Sequence, residues 1–174
     1  MRATLRNVLL ALSLLAALPR CAKEPTALFV RVTADPSLQT MWQSMPNFAS
    51  ATASATVSVY DANRPGSAAL DVKTIPLGNF QTETTFLVES KGAATKVRID
   101  VAATMTLTFR LLAPNQMFTM TNRVITPYVE DQVREVSVVF YGPCRTQTAC
   151  SASQRCNASG ACEDATVQSA DHPY

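Results

Sequence analysis

The sequence predicts an all-β protein: an antiparallel β-sandwich of about seven or eight short strands, followed by a small disulfide-stapled tail. Three observations lead there. Runs in which apolar and polar residues alternate recur along the chain, separated by clusters of Pro, Gly, Asn and Asp. A period of two places every second side chain on one face of a strand. The runs are rich in Val, Thr, Ile and Phe, which suit a pleated, half-buried surface. Helical spacing is nearly absent between them, so the layers of the fold are expected to be sheets. A closed barrel is the alternative that strand counting leaves open.

Composition agrees with one such domain. Of 174 residues, 47% are hydrophobic and 5 are Gly, which excludes collagen-like and disordered chains. Without an N-terminal signal, roughly 150 residues remain, enough for a single core.

The first segment reads as an export signal. Met1 to Asn7 carries Arg2 and Arg6 and no acid, and Val8 to Leu18 is an apolar run interrupted only by Ser13. A membrane-spanning helix needs ~20 apolar residues, so the run is too short to span. It matches the core of a signal peptide over residues 1–20. Cys21 then stands where a bacterial lipoprotein is cleaved and acylated. Leu18 suits the third position before it, whereas Arg20 departs from the small residue expected there. Simple secretion, with cleavage near Ala16 or Ala17, is the competing expectation. Cysteine arithmetic favours the lipid anchor on Cys21, because the other four cysteines form a self-contained set and acylation removes the odd thiol.

The body, expected over residues 24–141, reads strand by strand. Ala27 to Thr33 puts Leu28, Val30 and Val32 on one face, and Asp35-Pro36 stops it. Ser37 to Asn47 is read as a loop with at most one helical turn. Met41, Trp42, Met45 and Phe48 are then expected as a lid over the open end of the core, an exposed docking loop being the rival. Ala53 to Asp61 turns Ala55, Val57 and Val59 inward, and Asn63-Arg64-Pro65-Gly66 is a turn. Further strands are expected over Leu70 to Ile75, closed by Pro76, and over Thr84 to Glu89, Lys96 to Ala103 and Met105 to Leu111. In the third of these, Val97, Ile99 and Val101 share a face while Lys96, Arg98 and Asp100 point to water. Phe118 to Thr126 and Arg134 to Tyr141 complete the set.

Cys144, Cys150, Cys156 and Cys162 follow, with five residues between successive cysteines. The spacers are small and polar, so cross-links rather than a core must hold this segment. A four-thiolate zinc site is the rival, but zinc favours tighter pairs. Two disulfides are therefore expected. Of three possible connectivities, Cys144–Cys156 with Cys150–Cys162 is preferred, since it closes two interlocked loops of similar length. The module is assigned to residues 142–164 and a flexible tail to residues 165–174. Gly142-Pro143 sets the module off from the body, which is expected to fold without it.

The opening ALFVRVTAD, the final strand VSVVF and a C-x5-C-x5-C tail containing Gln-Arg-Cys and Gly-Ala-Cys resemble a group of predicted bacterial lipoproteins. These are exported proteins of unassigned function. The resemblance implies an immunoglobulin-like or prealbumin-like sandwich, and it brings no catalytic residues with it.

Charge and motifs narrow the function. The chain carries 15 Lys and Arg against 13 Asp and Glu, but Arg2, Arg6 and Arg20 precede Cys21, leaving 12 against 13. A near-neutral body has no field to steer toward nucleic acid, so no such partner is expected. His172 is the only histidine and stands at the C-terminus, remote from any nucleophile motif. No phosphate loop, GxSxG or HExxH occurs. Asp35, Asp61, Glu130 and Asp131 could bind calcium only if the fold gathers them at one end. Asn157-Ala158-Ser159 is a glycosylation sequon that reads as a turn. The expectation is a non-catalytic envelope or cell-surface module that binds a protein or glycan, without cofactor. A small-ligand or calcium carrier and an unrecognised hydrolase are the alternatives.

Overall fold

Strand-forming alternation dominates the chain, and the computed structural model accordingly describes ten strands and one α-helix. It describes residues 26–79, 83–91, 94–110, 114–146 and 150–171; the segment read as an export signal, Cys21 and His172 lie outside them. In order these are β1 (Ala27–Ala34), α1 (Pro36–Gln43), β2 (Phe48–Asp61), β3 (Asp71–Gly78), β4 (Thr84–Glu89), β5 (Lys96–Phe109), β6 (Gln116–Pro127) and β7 (Val133–Phe140). A 3-10 turn (Gly142–Thr146) leads to β8 (Gln154–Cys156), β9 (Cys162–Asp164) and β10 (Ala170–Asp171).

The strands form a four-stranded sheet in the order β10-β7-β1-β4, a second in the order β3-β2-β5-β6, and the hairpin β8-β9. The inward faces of both large sheets meet in one apolar core. Leu28, Val30 and Val32 enter it from β1, Val57 and Val59 from β2, and Val97, Ile99 and Val101 from β5, all essentially without exposure. The alternation thus assigned these faces correctly. Pairing is antiparallel throughout the large sheets except between β1 and β7, which run parallel from Ala27 opposite Val133 to Ala34 opposite Phe140. A wholly antiparallel arrangement is therefore corrected. The neighbours are the first and last strands of the body, a choice of partner on which local patterning is silent.

Two expected strand boundaries also change. Lys96 to Phe109 is one strand of 14 residues rather than two. Ala103 and Met105 are both buried, so the alternation runs unbroken through Thr104. β3 continues past Pro76 to Gly78. This is tolerated because β3 lies at the edge of its sheet and the register with β2 shifts between Ala53 and Ser54, opposite Pro76.

The segment read as a loop contains the helix α1. Asp35 caps it, its Oδ1 accepting from Ser37 N at 2.9 Å, and Pro36 occupies the first turn, where a missing N–H costs nothing. Leu38, Met41, Trp42 and Met45 follow at helical spacing. Leu38 and Trp42 are buried, while Met41, Met45 and Phe48 pack against the core. The helix is the lid over the core, and Trp42 is not an exposed docking residue.

The sheet edges are covered in part. At the β3–β4 side, Lys73 Nζ donates to Leu87 O at 3.0 Å and lies over the Phe86 ring. At the β6 edge, Ile125 N donates to Ala165 O at 2.8 Å and Val167 N donates to Ile125 O at 2.9 Å. β10 then pairs with Arg134 and Glu135 of β7. Within the tail expected to be flexible over 165–174, Ala165, Val167, Ala170 and Asp171 are therefore bonded to the body. Two adjacent sheet edges offer unpaired backbone groups, and this segment satisfies them.

Candidate functional site

The outward phase of β5 and β6 supplies the polar groups of the site. Opposite pairing sets Asp100 beside Arg123, and Tyr60 of β2 beside Arg98. Arg98 stacks on the Tyr60 ring, its guanidinium carbon 4.2 Å from the centroid. Arg98 Nε and Arg123 Nε approach the same oxygen, Asp100 Oδ1, at 3.3 and 3.4 Å. Arg98 Nε and Asp100 Oδ1 are buried atoms that contact as an ion pair without hydrogen-bond geometry. Burial raises the Asp100 carboxyl above its ordinary range, against the opposing pull of Arg123 and then Arg98. Two guanidinium groups share one carboxylate, so the cluster holds an excess positive charge. The expectation that Arg98 and Asp100 simply face water is amended, because the cysteine module folds over this part of the sheet.

The module is held by disulfides between Cys144 and Cys156 and between Cys150 and Cys162, with Cα–Cα distances of 6.0 and 5.7 Å. Arg123 Nη1 reaches across to Ser151 O at 2.9 Å. Beneath it, buried Asn122 ties the module to the core side: its Nδ2 donates to Val139 O at 2.6 Å and to Cys156 O at 3.3 Å.

Between module and body lies a cleft of about 410 Å³. Asp61, Ala62 and Pro65, from the turn after β2, form one side, Arg98 and Ile125 the floor, and the loop Ser151-Ala152-Ser153 the far wall. That loop directly follows Cys150, so a disulfide fixes its root. A second recess of about 160 Å³ lies along the same junction, beside Arg123 and Gln154.

No family model, curated protein or solved structure matches this chain. The geometry alone must argue for function.

The residues singled out from sequence fall in several places. Asp61 reaches the cleft, where its carboxylate accepts from Asn63 N at 2.9 Å and lies 3.6 Å from Arg64 Nε. Asp35 caps α1 after the C-terminal end of β1, whereas Asp131 N bonds Thr26 Oγ1 just before that strand begins. The four carboxylates are thus not gathered, and among the described residues no group of His, Cys, Asp or Glu could hold a metal ion. Asn157 is absorbed in its own turn: Oδ1 accepts from Ser159 N, Ser159 Oγ and Ala161 N, and Nδ2 donates to Glu163 Oε2. Tyr60, Arg123 and Asn122 were not singled out, and Arg98 was expected only to face water. The available signal was polar residues in strands otherwise crowded with Val, Thr and Ile. For Asn122, the signal was a carboxamide in the inward phase of a strand.

Proposed function

We propose that this chain is a non-catalytic interaction module of the bacterial cell envelope that recognises an envelope protein or glycan. In this reading residues 1–20 direct export, a lipid on Cys21 holds the protein to the membrane, and the two sheets are an immunoglobulin-like or prealbumin-like sandwich. The observation that carries it is the cleft of about 410 Å³ between the disulfide-held loop and the strand ends. Its size falls within the roughly 300–1,000 Å³ of small-ligand sites, and its two sides are rooted at the end of β2 and at the disulfide-bonded Cys150. Two disulfides suit an oxidising compartment, which supports export. The β6 edge is covered at Ile125 and the β7 edge at Arg134 and Glu135, which leaves the loops around the cleft as the favoured surface for recognition. Within the cleft, Ser151 Oγ donates to Gln154 Oε1 at 2.9 Å. A carboxamide cannot take up the hydroxyl proton, so this bond does not activate the oxygen as a nucleophile.

The test uses the full-length protein expressed in a bacterial host. Binding to purified envelope polysaccharide and envelope proteins is measured beside Ala152→Trp, which fills the cleft. Binding is expected to disappear in that variant. Cys21→Ser is expected to release the protein from membranes while leaving binding intact. Robust turnover in a hydrolase panel, abolished by one Ser, Asp or Glu substitution, would overturn the reading.

A further inference from the structure

Resting on the binding reading above, we propose that the cleft receives an acidic sugar, a uronate or similar carboxylate-bearing glycosyl residue, with Arg98 as the carboxylate receptor. The guanidinium is held in place by the Tyr60 ring and by Asp100 on its Nε side. Its two terminal nitrogens make no hydrogen bond among the described residues, although Arg98 lines the cleft. That is the edge of an arginine that grips a carboxylate with two parallel bonds. The charge balance favours an anion: Asp61, which also lines the cleft, is paired with Arg64, and Asp100 is shared by Arg98 and Arg123, so three guanidinium groups stand against two carboxylates.

The rest of the lining suits a sugar better than a bare acid. Asp61 stands on one side as an acceptor for ligand hydroxyls, while opposite it Ser153 offers a hydroxyl and Ser151, whose proton goes to Gln154, an acceptor oxygen. Ala62, Pro65, Ile125 and Ala152 give apolar contact for the C–H face of a ring. A carboxylate at Arg98 and a hydroxyl at Asp61 would place both ends of one pyranose on complementary groups. Arg98 is the one Lys or Arg among the described residues that line the cleft, so a lone carboxylate matches it in charge better than a polyphosphate.

Calorimetric titration of the full-length protein with a uronate disaccharide, and with the same disaccharide after reduction of its carboxyl to an alcohol, tests the assignment. The uronate is expected to bind and the reduced form to bind at least about tenfold more weakly. Arg98→Gln should remove that difference, and Arg98→Lys should restore it only in part, because a point charge cannot form the paired bonds. Ala152→Trp, which leaves the charge cluster intact, should abolish binding of both sugars and keeps the test open if Arg98→Gln does not fold. Equal binding of the two sugars, untouched by Arg98→Gln, would overturn the acidic-sugar assignment while leaving a glycan module standing. Failure of both sugars at millimolar concentration, with an envelope protein or a peptide carboxylate bound instead, would overturn the assignment too. Loss of every envelope ligand would overturn the binding reading itself.

Discussion

Asn122 and Cys156 pair as two neighbouring strands would, with a side chain standing in for one of the backbones. Asn122 Nδ2 donates to Cys156 O and Asn122 Oδ1 accepts from Cys156 N, both at 3.3 Å. The same carboxamide donates to Val139 O on the other sheet and accepts from Arg123 N. One buried amide therefore joins β6, β7 and β8. Through the disulfide of Cys156, it also holds the root of the module.

Removing it should be costly. Asn122→Ala leaves the Val139 carbonyl and both backbone groups of Cys156 without this partner in a buried setting. The expected loss is about 3 kcal/mol of unfolding free energy, read from the denaturant midpoint. Asn122→Asp preserves the shape but points a carboxylate at two carbonyl oxygens, and is expected to be no better at neutral pH. A loss within experimental error for both variants would show that the contact carries little energy.

The module and the body are expected to be energetically coupled, which revises the separable tail suggested by Gly142-Pro143. Ending the chain after Tyr141 uncovers the β6 edge at Ile125, the β7 edge at Glu135 and the face under Arg123. The truncated body should unfold at markedly lower denaturant than the whole chain. Replacing Cys150 and Cys162 by Ser is milder. By loop entropy it should cost about 3 kcal/mol, loosen residues 151–153 and weaken cleft binding, while the far-ultraviolet spectrum of the sheets persists. Unchanged stability after truncation would restore the two-part division.

Alkaline pH offers a separate measurement. Burial, helped by the Asp71 charge, pushes the Tyr128 hydroxyl from 10.0 up to about 12. It also donates to Glu89 O at 3.1 Å. The unfolded chain releases this proton near 10.0 while the folded chain keeps it to about 12, so unfolding is proton-releasing in that window. Tyr128 thus contributes stability that is intact below 10.0 and lost as pH rises toward 12. Tyr128→Phe should be less stable at neutral pH through the lost hydrogen bond, and its stability should fall less steeply between those values. Parallel pH profiles for the two proteins would contradict this.

Gly160 is a position where any side chain meets two obstacles. Its φ is +82°, and an added Cβ would lie 2.9 Å from Pro143 Cβ. Gly160→Ala should destabilise the module by about 1–2 kcal/mol. Faster proteolysis between Cys150 and Cys162, with the core strands protected from hydrogen exchange, would locate the effect. Wild-type behaviour in both assays would count against the close packing of the two turns.

Read locally, the chain specified what depends on near neighbours. Leu28, Val30 and Val32, or Val97, Ile99 and Val101, lie inside because alternation commits every second residue to one face, whatever the partner strand. The helix α1 falls in a segment read as a loop, although its signals are present in the Asp35-Pro36 start and in the spacing of Leu38, Met41, Trp42 and Met45. A segment of eight residues between strands was too short for that period to stand out. Tertiary structure alone decided which strands pair, that β1 and β7 run parallel, and that residues 165–171 lie along two sheet edges. It also decided the cleft. Arg123 meets Ser151 across 28 residues and Asn122 meets Cys156 across 34. Such meetings follow from which edges remain unpaired once the core has closed, and that competition involves the whole chain rather than any window of it.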